Sequence, residues 1–152
     1  MFHKTLAVCT IGATFLALSS AYAHDGATGV IKERMDLMKI IGKNTKMIAP
    51  MATGGADLDM KAVAAGAAAI SEAAKQVASK FPEGSLSEES EAKPNIWTDW
   101  AKFSGLIESL AADSAVLAMS ASKGDESAIL PAFGKMTGNC KTCHTEFRQK
   151  KK

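Results

Sequence analysis

Near its carboxyl end the chain carries Cys140-Lys141-Thr142-Cys143-His144, in which two thiols and an imidazole are spaced i, i+3 and i+4. On an α-helix these three positions lie on one face, so the side chains converge on a single region. The pattern C-x-x-C-H is typical of haem c attachment, in which two thioethers tether the group and the imidazole binds iron. The motif therefore predicts a helical carboxyl-terminal segment that holds one covalent haem c.

The first 23 residues have the features of an export signal. Lys4 precedes an apolar stretch at residues 6–18, and the small residues Ala21 and Ala23 form a cleavage site. Polar residues interrupt the stretch, which is shorter than the about 20 residues that a membrane-spanning helix needs. We expect cleavage after Ala23 and a soluble mature domain of residues 24–152. Its expected location is the periplasm, because bacteria attach haem c outside the cytoplasm.

Three other uses of this cysteine and histidine pattern must be compared with haem attachment. A zinc site needs four ligands, and the mature chain adds only His24 to the motif. A thioredoxin-like pair needs a preceding strand in a βαβ unit, and the sequence has no strand pattern. A disulfide between Cys140 and Cys143 closes too small a loop to constrain much of the chain. We therefore favour haem attachment by Cys140 and Cys143, with His144 as an axial ligand.

Apolar residues at helical spacing, separated by glycine and proline, predict four helices. These cover residues 28–49, 59–80, 95–122 and 125–149. Pro50 ends the first helix, Asn95 is a candidate N-cap for the third, and Trp100 belongs to its buried stripe. Pro131 predicts a late start or a kink in the fourth helix, and residues 83–94 form a surface connection. The expected fold is all-α, an antiparallel four-helix bundle with haem near the last helix.

The charge balance argues against a nucleic-acid partner. The chain has 18 Lys and Arg and 16 Asp and Glu, and removal of the signal takes away only Lys4. Seventeen basic and 16 acidic residues remain, which is not the basic excess typical of nucleic-acid binding.

The position of the motif limits the source of a second axial ligand. Only eight residues follow His144 and none is Met, His or Cys, so a sixth ligand must come from upstream. Met38 is the best candidate because it lies on the inner stripe of the first helix, and Met35 is the next. The alternative is that Met38 only fills the core, as a methionine on a helical stripe commonly does.

With these pieces placed, the chain resembles the class II c-type cytochromes, meaning the cytochrome c-prime family and its low-spin c-556 relatives. The resemblance covers essentially the whole mature chain. It rests on Arg34 to Lys39 with Gly42, on Pro94-Asn95-Ile96-Trp97 followed by Trp100 and Phe103, and on Cys140 to His144 followed by Phe147-Arg148. It implies a left-turning four-helix bundle, a haem propionate near Arg34 and, often, a homodimer. The alternative is that Arg34 is simply a solvated surface residue near the end of the bundle.

The resemblance implies two possible functions. In the low-spin branch a methionine matching Met38 completes the iron coordination, and the protein shuttles electrons. In the c-prime branch the sixth position is open or shielded by an apolar side chain, and small gases such as nitric oxide or carbon monoxide bind. That branch often has Tyr-Arg-Gln where this chain has Glu33-Arg34-Met35. We therefore favour electron transfer.

The expected partners are redox proteins of the periplasm. Lys135, Lys141 and Arg148 lie close in sequence to the haem edge and are candidates for steering an acidic partner. Each one also fits an ordinary solvated helix face. We expect no enzymatic role, because no distal histidine is available for acid-base chemistry.

Overall fold

The computed structural model describes residues 27–150, so the predicted signal, its cleavage site and His24 lie outside the described residues. The chain forms α1 (Gly29–Ala52), α2 (Met60–Val77), α3 (Asn95–Thr98), α4 (Trp100–Ser122) and α5 (Ile129–Phe147). Within residues 27–150 there is no β-strand, and β-type pairing is limited to one bridge between Ala92 and Arg148. None of the helices in this range is long and apolar enough to cross a bilayer. The all-α bundle predicted from the sequence is confirmed.

The four long helices pack in sequence order around one core. α1 packs on α2, α2 packs extensively on α4, and α4 packs on α5, whereas α1 and α5 have few direct contacts. Connections of a few residues join α1 to α2 and α4 to α5, so the helices of each pair run antiparallel. Apart from Ser114, the largest of the completely buried side chains are apolar: Ile48, Val63, Ile70, Val77, Ile96, Leu117, Ile129 and Met136. Burial of these side chains is the main favourable contribution to folding.

The contact between α1 and α2 is close because α2 has a glycine there. A Cβ atom added to Gly66 would lie 2.6 Å from Cε of Met47 and 3.2 Å from Cδ1 of Ile48. No real side chain fits at the first of these distances without displacement of its neighbour. The small residues of α2 therefore allow the close helix approach that the sequence predicts.

The prediction that α1 stops at Pro50 is wrong, because α1 extends three residues past the predicted end at Ala49. α1 continues to Ala52, with Pro50 inside its last turn. The proline removes one N–H from the helical ladder, but its carbonyl accepts hydrogen bonds from the N–H groups of Gly55 (2.8 Å) and Ala56 (3.1 Å). The turn after the helix thus satisfies a terminal carbonyl group.

The third predicted helix is two helices. Asp99, with φ −125° and ψ 44°, separates the single turn of α3 from α4. Asn95 is the first residue of α3, not its cap, and its side-chain amide donates to the carbonyl of Glu146. The break also corrects the prediction for Trp100, which is 39% exposed. Trp97 is more buried instead and donates from Nε1 to the carbonyl of Phe81 at 3.0 Å.

Pro131 is accommodated by a late start of the last helix, as predicted. A 3-10 turn at Glu126–Ala128 precedes α5, which begins at Ile129. Pro131 is then the third helical residue, where a backbone N–H has no intrahelical partner to lose.

The connection before α3 holds the end of α5 in place. The N–H of Lys93 donates to the carbonyl of Phe147 (2.9 Å), and the N–H of Gln149 donates to the carbonyl of Glu91 (2.8 Å). The ammonium of Lys93 also reaches the carbonyl of Glu146 at 3.1 Å. A cation at the carboxyl end of a helix is favourable because the last carbonyl groups lack partners.

Candidate functional site

A cleft between α1, α4 and α5 brings together most of the residues predicted for the site. α5 contributes Cys140, Cys143 and His144, and α1 contributes Met38. The other lining residues are Ile41, Leu106, Ile107, Leu110 and Asn139. Apart from Asn139 and His144, the wall is made of aliphatic and sulfur-containing side chains. An apolar cleft with a few convergent polar groups is the usual form of a site for a flat organic cofactor.

The two motif thiols line the cleft and do not have the lowered pKa values of reactive cysteines. Both Cys140 and Cys143 are free and half-buried. Burial raises the pKa of Cys140, and burial together with the neighbouring Cys140 and Glu146 raises the pKa of Cys143 to about 11. Redox-active and nucleophilic cysteines have lowered pKa values instead. Within residues 27–150, no group of three or more His, Cys, Asp and Glu side chains is arranged to hold a metal ion.

The His144 imidazole lines the cleft, and its surroundings favour the neutral form of the ring. Part of the residue is exposed, yet the surrounding protein still desolvates the ring. This desolvation lowers the pKa of His144, and the positive charge of Arg148 lowers it further. The negative charge of Glu91 acts in the opposite direction but does not cancel the two. A neutral imidazole is the form that binds a metal.

The two candidate methionines on α1 differ in position. Met38 is half-buried, packs against the hydrophobic core and lines the cleft with the motif residues. Met35 is also half-buried, but it does not line that cleft. The structure therefore brings Met38, and not Met35, together with His144.

Arg34 lies one helical turn before Met38 and is only 4% exposed, so the solvated-surface interpretation is wrong. It donates from Nε to the carbonyl of Lys80 (2.5 Å), and from Nη2 to both the carbonyl (2.7 Å) and the hydroxyl of Ser85. The guanidinium also lies 4.1 Å from the ring centroid of Phe81. These contacts fix the group against the chain segment after α2, and burial lowers its pKa.

One nitrogen of Arg34 has no partner. Nη1 is buried and makes no hydrogen bond in the structure. A buried donor left unsatisfied costs about 1–3 kcal/mol, more when charged, so an anionic group at this nitrogen would be stabilising. The orphaned atom fits the carboxylate of a haem propionate, and the propionate role of Arg34 stays a prediction.

Two of the three basic residues suggested for partner steering make ion pairs within the chain. Nη2 of Arg148 lies 2.5 Å from a carboxylate oxygen of Glu91, and Nζ of Lys135 lies 2.9 Å from Oδ1 of Asp113. Lys141 is exposed. A charge in an ion pair contributes less to the long-range electrostatic field than an unpaired one. Lys141 is therefore the strongest of the three candidates for steering an acidic partner.

Two polar residues beside the cleft were not predicted from the sequence. Asn139 lines the cleft, and its Nδ2 donates to Oδ2 of Asp113 at 2.8 Å. Asp113 is buried although it is charged. Asp113 could have been found from its position one turn after Leu110, on the mostly apolar buried face of α4.

An all-helical bundle whose last helix presents C-x-x-C-H to an apolar cleft defines a c-type cytochrome of the four-helix-bundle class. The chain belongs to the cytochrome c' family: the family model described as Cytochrome C' matches residues 29–148. Members of this family carry one covalently bound haem c, and so does this protein. The family comprises periplasmic haem proteins of electron transfer and gas binding.

Individual relatives include both branches of the family. The cytochrome c' of Rhodopseudomonas palustris is 38% identical over 96% of this chain and 98% of its own length. Its solved structure superimposes with a TM-score of 0.74 over 83% of this chain and 100% of that one, at 37% identity. The cytochrome c-556 of Agrobacterium fabrum is 33% identical over 82% of this chain and 84% of its own.

A more distant structure has a bound gas. A nitric oxide complex of a cytochrome c prime variant from Alcaligenes xylosoxidans has the same fold, with a TM-score of 0.73 at 24% identity over 80% of this chain and 94% of that one.

Proposed function

We propose that this protein is a periplasmic monohaem cytochrome that transfers electrons, with the haem tethered by Cys140 and Cys143 and the iron bound by His144 and Met38. The observation that carries the proposal is the common cleft: the only thioether among its lining side chains is that of Met38, and it lies with the three motif residues. A soft thioether opposite an imidazole favours ferrous iron and raises the reduction potential.

The bound haem supplies an iron that cycles between the ferric and ferrous states. The residues of the chain hold the haem and shield it from water. The two thioethers keep the group in place, and Ile41, Ile107 and Leu110 form an apolar wall that excludes water. Excluding water keeps the surroundings of the iron similar in both oxidation states, which suits rapid electron exchange.

Arg34 supports the proposal as a partner for a haem propionate. It is on the same face of α1 as Met38, and its other nitrogens are fixed by Lys80 and Ser85. Nη1 remains available for a carboxylate. A charge-assisted hydrogen bond of this kind is stronger than a neutral one and would orient the haem in the cleft.

The proposal extends to the location of the protein and to its redox partners. Residues 1–23 direct the chain to the periplasm and are removed after Ala23, and the mature protein exchanges electrons with other periplasmic redox proteins. The haem performs no catalysis, because neither His144 nor any other described histidine is left for acid-base work once the iron is ligated.

Gas binding is the second candidate function, and a specific observation favours it. The relative from Rhodopseudomonas palustris, at 38% identity, is a cytochrome c' and not a cytochrome c-556. Met38 would then be an unligated apolar side chain that shields an open sixth position, and the apolar wall would admit nitric oxide or carbon monoxide.

Absorption spectra of the haem-loaded protein decide between the two functions. If Met38 binds the iron, both oxidation states are low-spin and carbon monoxide leaves the ferrous spectrum unchanged. Met38→Ala then gives a high-spin spectrum that responds to the gas. Met35→Ala is the matched control, one turn away on the same helix and outside the cleft, and we expect it to retain the low-spin spectrum. A wild-type protein that is high-spin and binds carbon monoxide would reject ligation by Met38.

A further inference from the structure

The apolar cleft ends in a polar contact between α4 and α5. Leu106, Ile107 and Leu110 line the cleft from α4, and Asp113 follows Leu110 by one turn on the same face. Asp113 is 8% exposed, and its Oδ2 accepts a hydrogen bond of 2.8 Å from Nδ2 of Asn139, itself a cleft-lining residue. The carboxylate is therefore one side chain away from the cleft.

The other carboxylate oxygen pairs with a cation of very different exposure. Oδ1 of Asp113 lies 2.9 Å from Nζ of Lys135, but the aspartate side chain is 11% exposed and the lysine side chain 76%. Water and salt screen an exposed charge far more than a buried one. The field of the carboxylate in the cleft is thus reduced, but not cancelled, by the ammonium.

The same contacts keep Asp113 ionised. Burial by itself raises the pKa of Asp113, but the hydrogen bonds from Lys135 and Asn139 and the charge of Lys135 outweigh it, so the pKa lies below its ordinary value. At neutral pH the interior beside the cleft contains a full negative charge.

We propose that Asp113 is a positioning residue for the redox centre, which holds Asn139 beside the attachment residue Cys140 and biases the iron towards its ferric state. The inference rests on the proposed electron-transfer function. A buried anion stabilises the oxidation state with the greater positive charge, because the interior screens the interaction weakly. No part of the C-x-x-C-H motif supplies this charge, so it is an independent determinant of the reduction potential.

The test is potentiometric titration of the haem-loaded wild type, Asp113→Asn and Lys135→Gln. For Asp113→Asn we expect the ferric-to-ferrous ratio at fixed ambient potential to fall about three- to tenfold, a positive shift of about 30–60 mV for a one-electron couple. Lys135→Gln removes the partly compensating cation and is expected to shift the potential in the opposite direction. A merely structural role does not predict shifts of opposite sign.

Glu108→Gln is the matched control, since it removes the same charge from an exposed position of α4. A shift for Asp113→Asn no larger than that for Glu108→Gln would overturn the proposal. If Asp113→Asn does not fold, as judged by circular dichroism, Lys135→Gln decides: a negative shift supports the proposal and an unchanged potential overturns it. A wild type without a reversible haem couple would instead refute the electron-transfer function, so the two failures are distinguishable.

Discussion

α1 makes two contrasting contacts along its length. On one side it meets α2, where Gly66 lets the helices approach so closely that an added Cβ would lie 2.6 Å from Met47. On the other side it faces α5 with few direct contacts, and Met38 and Ile41 line a cleft instead. The first contact is filled by the chain itself, and the second is shaped for a cofactor.

The contrast shows how one amphipathic helix serves both stability and function. Ile48 is completely buried against α2, whereas Met38 is only half-buried. A completely packed side chain contributes to the stability of the fold through burial of apolar surface. A side chain at the cleft contributes to ligand binding through the groups that it presents there.

The largest effect is expected from Ile48→Ala. Removing a fully buried Ile side chain costs about 2–5 kcal/mol of the free energy of unfolding, because the close contact with α2 cannot collapse to fill the cavity. Met38→Ala should cost less while changing the haem spectrum, because that side chain is half-exposed. Denaturant titration of the haem-loaded proteins measures both values. Equal losses in the two variants would remove the distinction between the two sides of α1.

An intermediate effect is expected from Gly66→Leu. The added side chain overpacks the contact with α1 and should cost about 1–3 kcal/mol. Gly66→Ala is the control: the nearest atom, Cε of Met47, is the free end of a flexible side chain, and alanine in place of glycine favours the helix by about 1 kcal/mol. Thermal unfolding should rank wild type and Gly66→Ala together, well above Gly66→Leu. A fully stable leucine variant would contradict the close approach.

The smallest effect is expected from acid titration of Asp113. Because its pKa is lower in the folded protein than the about 3.9 of an unfolded aspartate, its contribution to stability is complete above that value and is lost as the pH falls through the folded pKa. Wild type and Asp113→Asn should therefore differ in unfolding free energy at pH 6, and the difference should change as the pH falls below about 3.9 and through the folded pKa of Asp113. A difference that stays constant with pH would show that the pKa of Asp113 is the same in the folded and the unfolded chain.

The sequence predicted the secondary structure well where periodicity and breakers agreed. Pro131 indicated the late start of α5, and Asp59, the predicted first residue of the second helix, is its N-cap, with its side chain accepting from the N–H of Ala62. Two local signals were less reliable. α1 continues past Pro50 to Ala52, and a local turn then bonds the Pro50 carbonyl, whereas Asn95 bonds across to α5 instead of capping.

The candidate site divides in the same way. The spacing of Cys140, Cys143 and His144 already places them on one helical face, so their convergence needed no knowledge of the fold. Asp113 and Asn139 could not be paired from the sequence, because 26 positions separate them and only the packing of α4 on α5 brings them within 2.8 Å.

The sequence by itself determined the approximate course of the four long helices, the haem attachment motif and the short list of possible iron ligands, because these depend on local spacing along the chain. The tertiary structure alone decided that Met38 and not Met35 shares the cleft with His144, that Arg34 is buried with one nitrogen unpaired, and that a charged carboxylate lies beside the site. These features depend on which faces of distant helices meet, and helical periodicity specifies a face without specifying its partner.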